Sequence, residues 1–373
     1  MKISRFAIAF ALAVGLSIPQ TAAQARLGGH SDEQPMRELA VRDVYSCPVP
    51  EDVQGEAKWK INNTTGLALT VYASDDKGNA YQVLERIGTP AIREWNPQLE
   101  DGTYHLTCVF HNDSAVESDD FTVAGSTVAD APKMVPITDH EVAAVSIKQA
   151  ENQKKRVPEL QKRAHALADA TSSSRSAARA AYLDYLEYYR SFDDSSAEWP
   201  GPDLEGYEDI ERILWSNRPP SDATLPATAL ADATDKTAHA LDTSHFAIPA
   251  PDYGLRAHEV MEEFERFDLR GECDFGAHAL PSALRGVITS TRVTLDPVRS
   301  LVEDRGLDTE PIYDQLADLD ALAEEFDDKY GGAPSVAFAD WPQEDRLRLQ
   351  AGVAKANELL APVATMTVIR RMN

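Results

Sequence analysis

Two short acidic segments in this 373-residue chain have the composition of a metal-binding site. Glu208 and Glu211 lie three residues apart on a segment with helical periodicity. That spacing places both side chains on one helix face, about 5–6 Å apart at Cβ. Paired carboxylates can chelate one hard cation, because oxygen ligands suit iron, calcium, magnesium or manganese better than soft metals. A solvated acidic helix face, with Arg212 beside it, has the same composition. The second segment holds Glu272, Asp274 and His278. Two acids and an imidazole in a loop between helices can bring oxygen and nitrogen ligands to one centre, and His is the commonest nitrogen ligand. Asp274 could equally cap a helix, and His278 could be a satisfied structural residue.

Hydrolytic signatures are missing. The chain contains no Gly-x-Ser-x-Gly, no His-Glu-x-x-His and no phosphate-binding loop. A net charge of −25 disfavours nucleic acid and anionic lipid and favours cations, although solubility in a saline habitat would select the same balance. We read the chain as a binding protein rather than an enzyme.

Such residues need elements to position them. Lys2 and Arg5 precede an apolar run from Phe6 to Ile18, and Ala23-Gln24-Ala25 supplies a small-x-small cleavage site. Residues 1–25 therefore read as a secretory signal peptide, too short in its apolar part to span a bilayer. This predicts a periplasmic or secreted protein without stable membrane insertion. Residues 26–40 are polar and Gly-containing and read as a disordered leader. From 41 to 125 short alternating runs appear, among them Leu67-Leu69-Val71-Ala73 and Tyr104-Leu106-Cys108-Phe110, separated by turn clusters such as Asp75–Asn79. They predict an all-β sandwich. Residues 126–140, with Pro132 and Pro136, read as a linker. Beyond it the period becomes helical, with stripes at Tyr182-Tyr185-Leu186-Tyr189, Ile312-Leu316-Leu319-Ala323-Phe326 and Leu349-Val353-Ala356-Leu360-Val363. About seven helices fit within an all-α domain over 141–373, which could be two bundles.

Several of these segments, in this order, resemble the EfeO family of exported iron-uptake proteins. Gly206-Tyr207-Glu208-Asp209-Ile210-Glu211, ending in Leu214-Trp215, resembles that family's Gly-x-His-x-x-Glu helix, with Glu208 in place of the His. Gly271-Glu272-Cys273-Asp274 followed by Ala277-His278 resembles its Gly-Glu-Glu-Asp stretch followed by Ser-His. Ser174–Tyr189 and Asp345–Val363 resemble the helix before the motif and the final helix. Cys47 and Tyr104–Cys108 look like the two cysteine segments of the family's N-terminal domain. The resemblance implies a cupredoxin-like β-sandwich followed by an imelysin-like α-helical bundle. It also implies a metal ion, iron foremost, held by Glu208, Glu211, Glu272, Asp274 and His278. The implied partners are a membrane iron permease and a haem peroxidase of the same system.

Three cysteines in an exported chain suggest one disulfide and one remaining thiol. Cys108 is in phase with core-facing residues. His111 follows it, but no upstream His and no following Met complete a copper set, so a Cys47–Cys108 disulfide with Cys273 free is the better reading. Glu85 matches an acid usual in the family, and Glu85 with Cys47 and Cys108 is the alternative, a second metal site. Two other functions compete with iron binding. One is a scaffold-only adhesion or polysaccharide-binding protein, for which Lys154-Lys155-Arg156 with Lys162-Arg163 is the one dense basic patch. The other is a secreted metallopeptidase.

Overall fold

The computed structural model describes residues 36–111, 114–192, 199–204, 206–243, 246–250, 253–331 and 335–367. The expected signal peptide, residues 1–25, and residues 26–35 of the expected leader lie outside them. A β region of two sheets comes first and an all-α domain follows. Among the described residues no helix is long and apolar enough to cross a membrane.

The smaller sheet has the order β1–β3–β6, from Arg37–Val41, Trp59–Asn63 and Ala91–Trp95. The larger runs β2–β9–β7–β4–β5, from Val53–Gln54, Phe121–Ala124, Gly102–Phe110, Leu69–Asp75 and Ala80–Ile87. The short strand β8, Ala115–Glu117, also pairs with β7. The predicted alternation is visible in the register. Leu69, Val71 and Ala73 face Phe110, Cys108 and Leu106 across the β4–β7 pair, and all six are buried. Trp59 and Ile61 of the other sheet meet them, with Trp59 edge-on to Phe121 at 5.5 Å.

Two expectations need correction. Residues 37–40 are not a disordered leader: Leu39 and Val41 alternate inward, and β1 pairs in parallel with β3. Residues 126–138 join the β region to the first helix, which begins at Asp139; within them Met134 bridges to Ala80 of β5, and Ala131 and Ile137 are buried. The thiolate alternative for the second site also fails, because Cys47 and Cys108 are joined in a disulfide (S–S 2.08 Å), while Glu85 is exposed on β5. Cys273 is free.

The all-α domain opens on α1, Asp139–Ala170. Thr138 and Glu141 form a reciprocal capping box, and Ile137 and Val142, both fully buried, flank it as an apolar staple. Arg305 locks this corner by donating to the carbonyl oxygens of Val135 and Pro136 and to the Glu141 carboxylate. Among the described residues seven α-helices follow: α2 (Arg175–Tyr189), α3 (Tyr207–Leu214), α4 (Thr224–Thr243), α5 (Tyr253–Arg266), α6 (Leu280–Glu303), α7 (Glu310–Tyr330) and α8 (Gln343–Met366). They enclose two cores. One gathers α2, α3 and α4 around the second half of α1, with Val157, Leu160, Ala164 and Leu167. The other gathers α5 to α8 around the first half, with Val142, Val145 and Ala150. Helices α2 and α6 cross tightly, since a Cβ on Gly286 would lie 2.5 Å from the Glu187 carbonyl oxygen.

Two measurements test this description. Thiol titration of denatured, unreduced protein should find one free thiol per chain. Reduction should cost roughly 4 kcal/mol in the chain-entropy account, given the 61-residue separation. A fragment beginning at Met134 should melt cooperatively. One beginning at Val142 lacks the capping box and the Arg305 acceptors, and should be less stable by roughly 2 kcal/mol in a denaturant titration.

Candidate functional site

The sharpest chemical feature is a buried carboxylate. Helix α3 is amphipathic, burying Ile210, Glu211, Ile213 and Leu214 while Arg212 faces out. Glu211 is only 2% exposed. A carboxylate so placed must find donors, and it has three. Tyr182 Oη of α2 donates to Oε2 at 2.6 Å, and the backbone N–H groups of Phe275 and Ala277 donate to Oε1 at 2.9 and 2.8 Å. Outside this contact, the Arg212 guanidinium lies 3.9 Å from the Phe275 ring centroid, so it stacks on the loop instead of neutralising an acid of its own helix. Burial raises the Glu211 carboxyl above the ordinary range, and the three donors offset only part of that.

The loop between α5 and α6 is braced from within. Asp274 Oδ1 accepts from the N–H groups of Gly276 and His278, both at 3.0 Å, and Asp274 Oδ2 meets His278 Nδ1 at 2.7 Å. His278 is in the left-handed region (φ +52°), which a side chain adopts only when its surroundings hold it there. Asp274 is thus a loop brace rather than a helix cap, for α6 begins after Ala279 without a side-chain cap.

Beside this loop a cleft of about 510 Å³ opens between the two helical cores. Leu186 and Arg190 from the α2 end, with Tyr207 and Glu211 from α3, form one wall. The 268–274 segment and the first turns of α6 and α8 form the other. Across the seam Arg190 donates to Asp268 at 2.6 Å, with Asp268 buried. Burial pulls the Arg190 guanidinium down, but the Asp268 charge, aided by Tyr207 and Cys273, outweighs it and the net shift is upward. Burial also raises the Asp268 carboxyl, against the opposing pull of Arg190, so the guanidinium is the firmly charged member of the pair. Cys273 keeps an exposed surface, yet desolvation and the charges of Asp268, Glu208 and Glu272 push its thiol up to about 11, despite the opposing pull of Arg190. It is a poor nucleophile at neutral pH.

Of the five expected ligands, Glu211 and Asp274 line the cleft. Glu208 is half-buried on α3, and Glu272 is exposed on the loop. Both act electrostatically on Cys273. His278 is turned to Asp274. Among the described residues, no three His, Cys, Asp or Glu side chains are grouped so as to hold a metal ion. Sequence reasoning passed over Arg190 and Asp268, and quoted Tyr207 within its motif without giving it a role. Arg190 had a readable signal, because it follows Tyr182 and Leu186 at intervals of four and so shares their buried face. Asp268 had none.

No protein-family model matches the chain, and no curated protein matches it.

Glu211→Gln presents an amide to three donors and should cost roughly 1–3 kcal/mol, as should Tyr182→Phe, which leaves Oε2 without its hydroxyl. The pH dependence has a definite sign. A carboxyl whose folded pKa is raised stabilises the fold most when protonated, and that contribution is lost as pH rises through the raised value. The stability gap between the parent and Glu211→Gln should therefore widen as pH falls from neutrality into the carboxyl range, measured by urea titration at each pH.

Proposed function

We propose that this chain is an exported, non-catalytic binding protein of the EfeO type, which captures or presents iron outside the membrane. In this reading the β domain is cupredoxin-like and the helical domain imelysin-like, and the partners are a membrane iron permease and a haem peroxidase. The carrying observation is that α3 and the α5–α6 loop, the two segments of the family resemblance, are hydrogen-bonded to each other and share one cleft. Glu211 and Asp274 stand in its wall, and Glu208, Glu272 and His278 belong to the same two segments. Glu208 in place of an imidazole makes the candidate ligand set richer in oxygen and better suited to ferric iron than to zinc or copper. Because Glu211 already serves three donors, capture would draw on Glu208 and Glu272, whose positions leave them access to solvent.

That same saturation of Glu211 favours a second reading, in which the scaffold persists without metal. Calorimetric titration of chelator-stripped protein with iron, manganese, calcium, zinc and copper separates the two. The iron reading expects a hard cation to bind tighter than about millimolar, with Glu208→Gln and Glu272→Gln weakening it by about tenfold or more. Absence of binding tighter than millimolar, or unchanged binding in both variants, sinks the metal site and leaves the scaffold.

A further inference from the structure

Six charged side chains line the cleft, and their partners do not balance. The three carboxylates are each occupied from within. Glu211 accepts from Tyr182 and two backbone N–H groups, Asp268 from Arg190, and Asp274 from two N–H groups while meeting the His278 ring. Asp268 uses Arg190 in turn. The remaining two are guanidinium groups. Arg346, in the first turns of α8, gives one bond to a neutral acceptor, the Ala339 carbonyl oxygen at 3.0 Å. Its Nε is buried with no partner among the described residues. Arg270 also borders a neighbouring groove of acids that includes Glu262 and Glu263, yet it makes no ion pair among the described residues.

Two guanidinium groups without an ion pair among the described residues, in one cleft, are unexpected in a chain of charge −25. A buried donor without an acceptor is costly, and Arg presents a planar fork matched to a carboxylate. Apolar side chains line the same space: Leu280, Phe338 and Leu347, of which Leu347 is 54% exposed. A cleft of about 510 Å³ that carries both charged and apolar side chains has room for a small organic molecule.

We infer that the cleft binds a small organic anion, a carboxylate on an apolar body, held at the carboxylate by Arg346 and Arg270. The apolar body lies against Leu280, Phe338 and Leu347, covering the exposed leucine. This binding needs no metal and stands whether or not the chain carries iron.

The test is titration of full-length protein, freed of metal on a chelating resin, with cinnamate, cinnamyl alcohol and inorganic phosphate. Cinnamate should saturate one site per chain, and the alcohol, which keeps the body and loses the charge, should bind about tenfold weaker or less. Phosphate should also bind more weakly, since it has no apolar part. Arg346→Gln and Arg270→Gln should each weaken cinnamate by about tenfold, with thermal melts confirming the fold. Arg270 is exposed, so its variant decides the question if Arg346→Gln fails to fold. The inference is overturned if cinnamate shows no saturable binding, if the alcohol or phosphate binds as tightly, or if Arg270→Gln binds cinnamate as the parent does.

Discussion

The helical domain depends on keeping one buried carboxylate solvated by protein. Glu211 is almost wholly buried, and the three donors it receives come from two places, a tyrosine on α2 and the backbone of the α5–α6 loop. Each donor fixes a neighbour. Tyr182 sets α2 against α3, and the two amides hold the loop in the path that puts His278 at positive φ and brings Asp274 round to brace it. The Arg190–Asp268 pair repeats the arrangement nearby, tying the end of α2 to the segment after α5. The cleft lies between these two polar ties.

Much of the architecture was legible because it rests on periodicity. The strand alternations at Leu69–Ala73 and Tyr104–Phe110 and the stripes of α7 and α8 became buried faces, since apolar spacing and burial have the same physical cause. The disulfide was legible because Cys108 kept phase with its core-facing neighbours. The edges were less so. Residues 37–40 and 131–137 are polar or proline-bearing overall, and single buried positions such as Leu39 and Ile137 decide their order. A pattern reading averages such single residues away.

The candidate site was legible in its segments and not in its geometry. The sequence brought α3 and the α5–α6 loop to attention, and the two do meet. Glu211 looked like a ligand by type and spacing, but burial turned it into an acceptor for the fold itself. Asp274 and His278 satisfy each other. Whether a polar side chain faces a ligand or its own backbone depends on donors supplied by segments tens of residues away, and no local spacing encodes them.

Helix α1 belongs to both helical cores, with Val142 and Val145 in one and Leu160 and Leu167 in the other. Its 32 residues extend for roughly 48 Å at the usual rise. The two bundles therefore are not separable modules, even though each has its own apolar centre. No cut in the chain frees one without either splitting this helix or exposing half of its buried stripe. Any rearrangement that opened the cleft by swinging one bundle from the other would have to bend α1, and Pro158, within the helix near the junction of the two cores, marks the point of least resistance. The domain is hinged, if anywhere, on a continuous rod instead of a linker.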